Sequence, residues 1–176
     1  MSGHKITTCL WFNNNDAEDA AQYYTSIFNS APGITPSTPP SKINQTQRYP
    51  DDPALCHGSE PGSVMVVQFD LRGQPFVGLN GGDQGWKFTT AVSFQIHCDN
   101  QEEVDHFWEK LREGGDPSKQ ECGWLADKFG VSWQVVPKVL FEYLSCGDPQ
   151  KTARVSAEMF TQKKLDIAAL KKAFEG

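Results

Sequence analysis

One physical pattern occurs twice in this chain, 84 residues apart, and it limits the available folds more than any other feature. Ile6-Thr-Thr-Cys-Leu-Trp-Phe12, rich in β-branched and aromatic residues, is followed by Asn13-Asn-Asn-Asp16 and then by residues 17–28. Ala91-Val-Ser-Phe-Gln-Ile96 is followed by His97-Cys-Asp-Asn100 and then by residues 101–113. Each copy reads as a strand, an Asn/Asp break and an amphipathic helix. Ala20, Tyr24 and Ile27 stand at i, i+4 and i+7, as do Val104, Trp108 and Leu111, so each helix has one face to bury. The aromatic doublets Tyr23-Tyr24 and Phe107-Trp108 align between the copies. Asn100 with Glu103 three residues on has the form of a capping box, which predicts where the second helix begins.

Further strands follow each helix. Residues 64–71 and 75–79 flank Arg72-Gly73, a hairpin turn. In the second half, strands near Gly123 and Val131 take the same place. The repeated unit is therefore β-α-β-β-(β), and the expected fold class is α+β: paired βαβββ modules forming a half-open, barrel-like sheet with C-terminal helices. Residues 1–90 form the first module, 91–137 the second and 138–176 a helical tail, together one structural domain. Residues 31–62 hold seven of the eleven prolines and almost no periodic apolar residues. Proline lacks the donor that a sheet ladder needs, so this insertion is predicted to be mostly irregular, a lid or a loop. Residues 139–144 are too short to assign. Asp148-Pro149 pairs an N-cap with proline at the first helical position and starts a helix reaching about residue 160. Asp166 caps another, with Ile167, Leu170 and Phe174 as its apolar stripe.

Composition narrows the partners. Eleven Phe, five Trp and four Tyr supply bulk for a packed interior. A net charge of −6 and a pI near 5.2 argue against nucleic acid, which needs a concentrated basic surface. The N-terminus lacks the apolar core of a signal peptide, and no stretch approaches the roughly 20 apolar residues of a membrane span. Five cysteines with no Cys-x-x-Cys suit a reducing compartment. The expectation is a cytosolic protein that binds neither nucleic acid nor membrane.

The segment Cys122-Gly-Trp-Leu-Ala-Asp-Lys-Phe-Gly-Val-Ser-Trp-Gln-Val-Val-Pro137 carries the densest chemistry. Asp127 and Gly130 mark a tight turn. Val131, Trp133 and Val135 then alternate with Ser132, Gln134 and Val136 on the two faces of a strand. A polar amide on such an apolar strand needs a partner, a water or a ligand, which makes Gln134 a candidate site residue.

Several segments carry a family resemblance. These are Phe76-Val-Gly-Leu-Asn-Gly-Gly82, Ala91-Val-Ser-Phe-Gln-Ile96, Glu102-Glu-Val-Asp-His-Phe-Trp108 with Gly114-Gly115, the stretch from Cys122 to Pro137, and Lys164-Leu-Asp-Ile-Ala-Ala-Leu170. The chain resembles the vicinal oxygen chelate superfamily of glyoxalases, bleomycin-resistance proteins and extradiol dioxygenases. Within it, the resemblance is to the PhnB-like, 3-demethylubiquinone methyltransferase-like group. It covers nearly everything outside residues 31–62. It implies two modules around one cleft, frequent homodimers and, in metal-using members, His, Glu or Gln ligands from the first and last strands of each module. Those positions fall here near Thr8 or Cys9, Leu79 or Asn80, Ser93 and Gln134, of which only Gln134 is of a ligand type seen in the family pattern. Hydroxyl and amide groups alone bind divalent metals weakly.

The histidines do not complete a metal site. His4 lies near the chain end, His57 in the insertion, His97 just past a strand and His106 off the helix's apolar face. Adjacent residues of Cys56-His57 and His97-Cys98 would point to opposite faces of a strand. No metal or other cofactor is therefore expected. The group's name also implies S-adenosylmethionine, but Leu79-Asn-Gly-Gly-Asp-Gln-Gly85 is followed by no amphipathic helix such as that cofactor's Gly-rich turn requires.

The inward residues of the strands would line the cleft. Trp11, Phe76, Trp124 and Trp133 are the aromatic candidates; Asn80, Ser93, Gln95 and Gln134 are the hydrogen-bonding ones. The same aromatics would serve equally as core. Cys9 is read as a small buried residue of a central strand, and Asp70 and Asp127 are candidates for turn positions. Two functions follow: a metal-free small-molecule-binding protein with an aromatic or amphipathic ligand, or an enzyme, either a divalent-metal lyase or isomerase or a methyltransferase.

Overall fold

The computed structural model describes residues 5–56 and 58–176, and the chain forms two compact units, residues 1–86 and 87–176. His4 and His57 lie outside the described residues.

The first unit runs β1 (Thr8–Phe12), α1 (Ala17–Asn29), β2 (Lys42–Arg48), β3 (Val64–Leu71) and β4 (Gln74–Asn80). Its sheet has the order β1-β4-β3-β2, with β1 parallel to β4 and the other pairs antiparallel. Arg72 (φ 46°) and Gly73 (φ 88°) form the two-residue β3–β4 turn, both in the left-handed region that this hairpin geometry demands. α1 packs across β3 and β4. It buries Ala17, Ala20, Ala21, Tyr24, Ile27 and Phe28, the stripe expected from the i, i+4, i+7 spacing. Beneath it, Tyr24 stacks on Phe69 and Phe69 on Phe76, with ring centroids 6.3 and 5.4 Å apart.

Two expectations change here. The proline-rich segment holds a strand, β2, paired antiparallel to β3 with two register irregularities. Its sequence Lys-Ile-Asn-Gln-Thr-Gln-Arg has one apolar residue, because an edge strand lying largely in solvent needs no hydrophobic alternation. Cys9 sits on an edge strand, not a central one, and is exposed. The alternation of β1 buries Leu10 and Phe12 and turns Cys9 and Trp11 to the face away from α1.

The second unit runs β5 (Phe94–Cys98), α2 (Gln101–Arg112), β6 (Trp124–Ala126), β7 (Ser132–Pro137), α3 (Lys138–Leu144), α4 (Pro149–Met159) and α5 (Ile167–Glu175). Its sheet has the order β5-β7-β6, with β5 parallel to β7 and β6 antiparallel. α2 is capped as the sequence implies: Asn100 Oδ1 accepts from Glu103 N at 3.0 Å. The reciprocal bond is donated by Asp99 N to Glu103 Oε2, one residue earlier than in a standard capping box. Val104, Phe107, Trp108 and Leu111 form the buried stripe of α2, which packs on all three strands.

Asp148 caps α4, accepting from Gln150 N and Lys151 N, and Asp166 caps α5, accepting from Ala169 N. These helices pack within the second unit. Leu140, Val155, Leu165 and Leu170 gather around Val136, with Tyr143, Leu144, Met159 and Phe174 at the margin. The fold is α+β, with two open sheets and C-terminal helices. No helix among the described residues is long and apolar enough to cross a membrane.

Candidate functional site

In the second unit, the parallel register of β5 and β7 sets Gln95 beside Gln134, and the antiparallel register of β6 sets Trp124 opposite Gln134. Ile96, Cys98, Trp133 and Val135 are buried, so the pleat turns Gln95, His97 and Gln134 to the other face. There the polar groups form one chain. Gln134 Nε2 donates to Ser93 Oγ at 2.7 Å, and Gln95 Nε2 donates to Gln134 Oε1 at 2.9 Å. His97 Nε2 lies 3.4 Å from Gln95 Oε1, with its ring edge-on to Phe141 of α3 at 5.3 Å between centroids. Four of the sequence candidates, Ser93, Gln95, Trp124 and Gln134, thus share one sheet face. His97 joins them, since it lies within β5 and not just past a strand as its sequence context implies. Its signal was its spacing, two residues from Gln95 on the same strand face.

Gly123 positions Trp124. At φ 84° it takes a left-handed conformation, and a Cβ there would come within 2.9 Å of Val135 O. Val135 N donates to Gly123 O at 2.8 Å, tying the start of β6 to β7.

Trp133 belongs to the opposite face. It is 2% exposed, packs against Phe94 and donates Nε1 to Asp127 Oδ2 at 2.7 Å. Asp127 Oδ1 accepts from Phe129 N at 2.9 Å and Val131 N at 3.1 Å. That carboxylate organises the turn and the buried indole.

The sheet of the first unit also separates its candidates. A Cβ at Gly78 would lie 3.1 Å from Ala17 Cβ, which identifies the face of β4 against α1. Phe76 and Asn80, two residues to either side, share that face and are 5% and 0% exposed. They are core residues here, because strand alternation puts Val77 and Leu79 on the face away from the helix. Asn80 Oδ1 accepts from Ala17 N and Nδ2 donates to Val64 O, both at 3.0 Å. Trp11 is on the face away from α1, in register with Leu79 and, through it, with Val66. Its Nε1 donates to Gly82 O at 3.0 Å, and its ring meets Trp86 edge-on at 4.8 Å.

Donor chemistry bears on the two groups that the sequence resemblance raises. Ser93, Gln95 and Gln134 are neutral and already bonded to one another, His97 adds a single imidazole to the face, and no group of three or more His, Cys, Asp or Glu able to hold a metal occurs among the described residues. This donor set does not fit a divalent ion. For S-adenosylmethionine, no helix lies between β4 and β5. Gly81 is explained by packing, since a Cβ there would fall 2.1 Å from the Trp11 ring. The segment does not fit a Gly-rich cofactor turn.

Residues 4–136 match the family described as 3-demethylubiquinone-9 3-methyltransferase. The chain belongs to this family. It is 34% identical to the PhnB protein from Bacillus cereus, with 76% of this chain and 99% of that one covered and a TM-score of 0.60. Protein PA1353 from Pseudomonas aeruginosa is 18% identical, over 77% of this chain and 98% of that one, with a TM-score of 0.51. The fosfomycin resistance protein FosX from Listeria monocytogenes is 16% identical, over 82% and 99%, with a TM-score of 0.49. No curated protein matches the sequence. Family membership places the chain in the vicinal oxygen chelate superfamily, and its two α+β units are of the glyoxalase type.

Proposed function

We propose that this family member is a metal-free small-molecule-binding protein whose ligand lies on the face formed by Ser93, Gln95, Gln134 and Trp124. The observation that carries the reading is the hydrogen-bonded chain from Ser93 through Gln134 to Gln95 beside the register position of an indole. Directional neutral groups next to an aromatic wall favour recognition of a neutral or weakly polar aromatic ligand over proton transfer. The buried carboxylate of the β6–β7 turn, Asp127, has both oxygens engaged with Trp133 and the turn backbone. A homodimer, expected from the resemblance, belongs to the same proposal and is read by light scattering.

The test is elemental mass spectrometry on untagged protein loaded with Zn²⁺, Ni²⁺, Mn²⁺ or Fe²⁺ and then desalted, followed by aromatic fragments titrated against the Trp124 indole resonance. The expected result is no retained metal and a saturable shift at Trp124. Near-stoichiometric metal would overturn the metal-free reading. The alternative, an enzyme, draws on the family's description as a methyltransferase and on its lyase-containing superfamily. It predicts bound metal, or turnover abolished by Gln134→Ala alone.

A further inference from the structure

We propose that His97 sets the direction of the hydrogen-bond chain on the β5–β7 face, so that Ser93 presents a hydroxyl donor and the face selects aromatic ligands bearing an acceptor oxygen, a carbonyl or a carboxylate. The inference deepens the ligand-site reading of this face and rests on it.

Each glutamine amide has one donor end and one acceptor end, so neither can choose the sense of the chain alone. Gln95 Oε1 can only accept, and it faces His97 Nε2 at 3.4 Å, so the two bond only when that ring nitrogen carries the hydrogen. Gln95 Nε2 must then point to Gln134 Oε1, and Gln134 Nε2 to Ser93 Oγ, as observed. Ser93 Oγ accepts from Gln134 and has no other partner among the described residues, so its own hydrogen is available to a ligand. With the hydrogen on Nδ1 instead, both amides would turn over and Gln134 Oε1 would consume the Ser93 hydrogen. The ligand would then meet oxygen lone pairs only, whereas in the observed sense Ser93 offers its hydrogen beside one remaining lone pair.

The step at 3.4 Å is long for a hydrogen bond and is the weakest link, and the imidazole also packs against the Phe141 ring. His97 is a positioning residue, acting on the ligand only through Gln95, Gln134 and Ser93.

The test uses the full chain labelled with ¹⁵N-histidine. Neutral His97 is expected as the Nε2–H tautomer; an Nδ1–H tautomer would overturn the inference. Acetophenone and aniline, which place an acceptor and a donor on the same ring, are then titrated while the Ser93 amide and Trp124 indole resonances are followed. Acetophenone is expected to bind about three- to tenfold tighter, the worth of one hydrogen bond. His97→Phe, which keeps a ring against Phe141, should bring the two ligands level with the Trp124 shift retained. Ser93→Ala should do the same without disturbing the histidine tautomer. Equal binding of both ligands to the unaltered protein would overturn the inference while sustaining the ligand-face reading. No shift at Trp124 with either would overturn that reading itself, and the inference with it.

Discussion

The side chain of Asn80 caps a helix that begins 63 residues earlier: its Oδ1 accepts from Ala17 N at 3.0 Å. The local N-cap residue, Asp16, makes no side-chain cap bond, so the last strand of the sheet supplies what the helix's own flank does not. Asn80 Nδ2 satisfies Val64 O, and Asn80 O accepts from the Tyr49 hydroxyl at 2.7 Å. Asn80→Ala would take the side-chain partner from a buried donor, Ala17 N, and from a half-buried acceptor, Val64 O. It should lower unfolding free energy by about 2–3 kcal/mol in urea titration. Asn80→Asp keeps the cap acceptor but sets an oxygen against the Val64 carbonyl, and should also destabilise.

Gly81 is a packing glycine of Trp11. Gly81→Ala should displace the indole, because the new Cβ would fall 2.1 Å from a ring that also bonds Gly82 O and touches Trp86. The expected readout is a changed near-ultraviolet dichroism spectrum and a loss of about 1–3 kcal/mol. Combining it with Trp11→Ala should cost less than the sum of the two changes, and strict additivity would count against the contact.

Asp127→Asn should cost about 1–3 kcal/mol. If the amide oxygen stays on the turn's N–H groups, its Nδ2 opposes the Trp133 Nε1 donor, at a site where the carboxylate is 2% exposed. Trp133 fluorescence during denaturation reports it. A silent substitution would show that the indole bond contributes nothing net.

At Asp148, backbone bonds, chiefly from Lys151 N, hold the carboxyl below its ordinary value. A folded pKa below the unfolded one stabilises above the unfolded value, about 3.9, and that gain is lost as pH falls through the folded value. The N-terminus of α4 should therefore loosen only below about pH 4, followed by amide exchange at Gln150 and Lys151. Asp148→Asn keeps an oxygen cap and should remove this pH dependence.

The helices were legible because their signals are local. The stripe Val104, Trp108, Leu111 and the caps Asn100, Asp148 and Asp166 all depend on spacings within one or two turns. β2 was not legible, since a polar edge strand has no alternation to read. At the site, strand alternation separates Gln134 from Trp133 but does not say which face a helix covers. Phe76 and Asn80 therefore read as pocket candidates from the sequence, whereas α1 lies on them.

By itself the sequence determined the repeated strand–helix unit, the positions of most turns and caps, and the family. Each follows from residue type at short spacing, which the chain carries however it folds. Only the tertiary structure decided that Gln95, Gln134, Ser93 and His97 form one chain. Their contacts close across strands up to 41 residues apart, through a parallel β5–β7 register that no local pattern encodes.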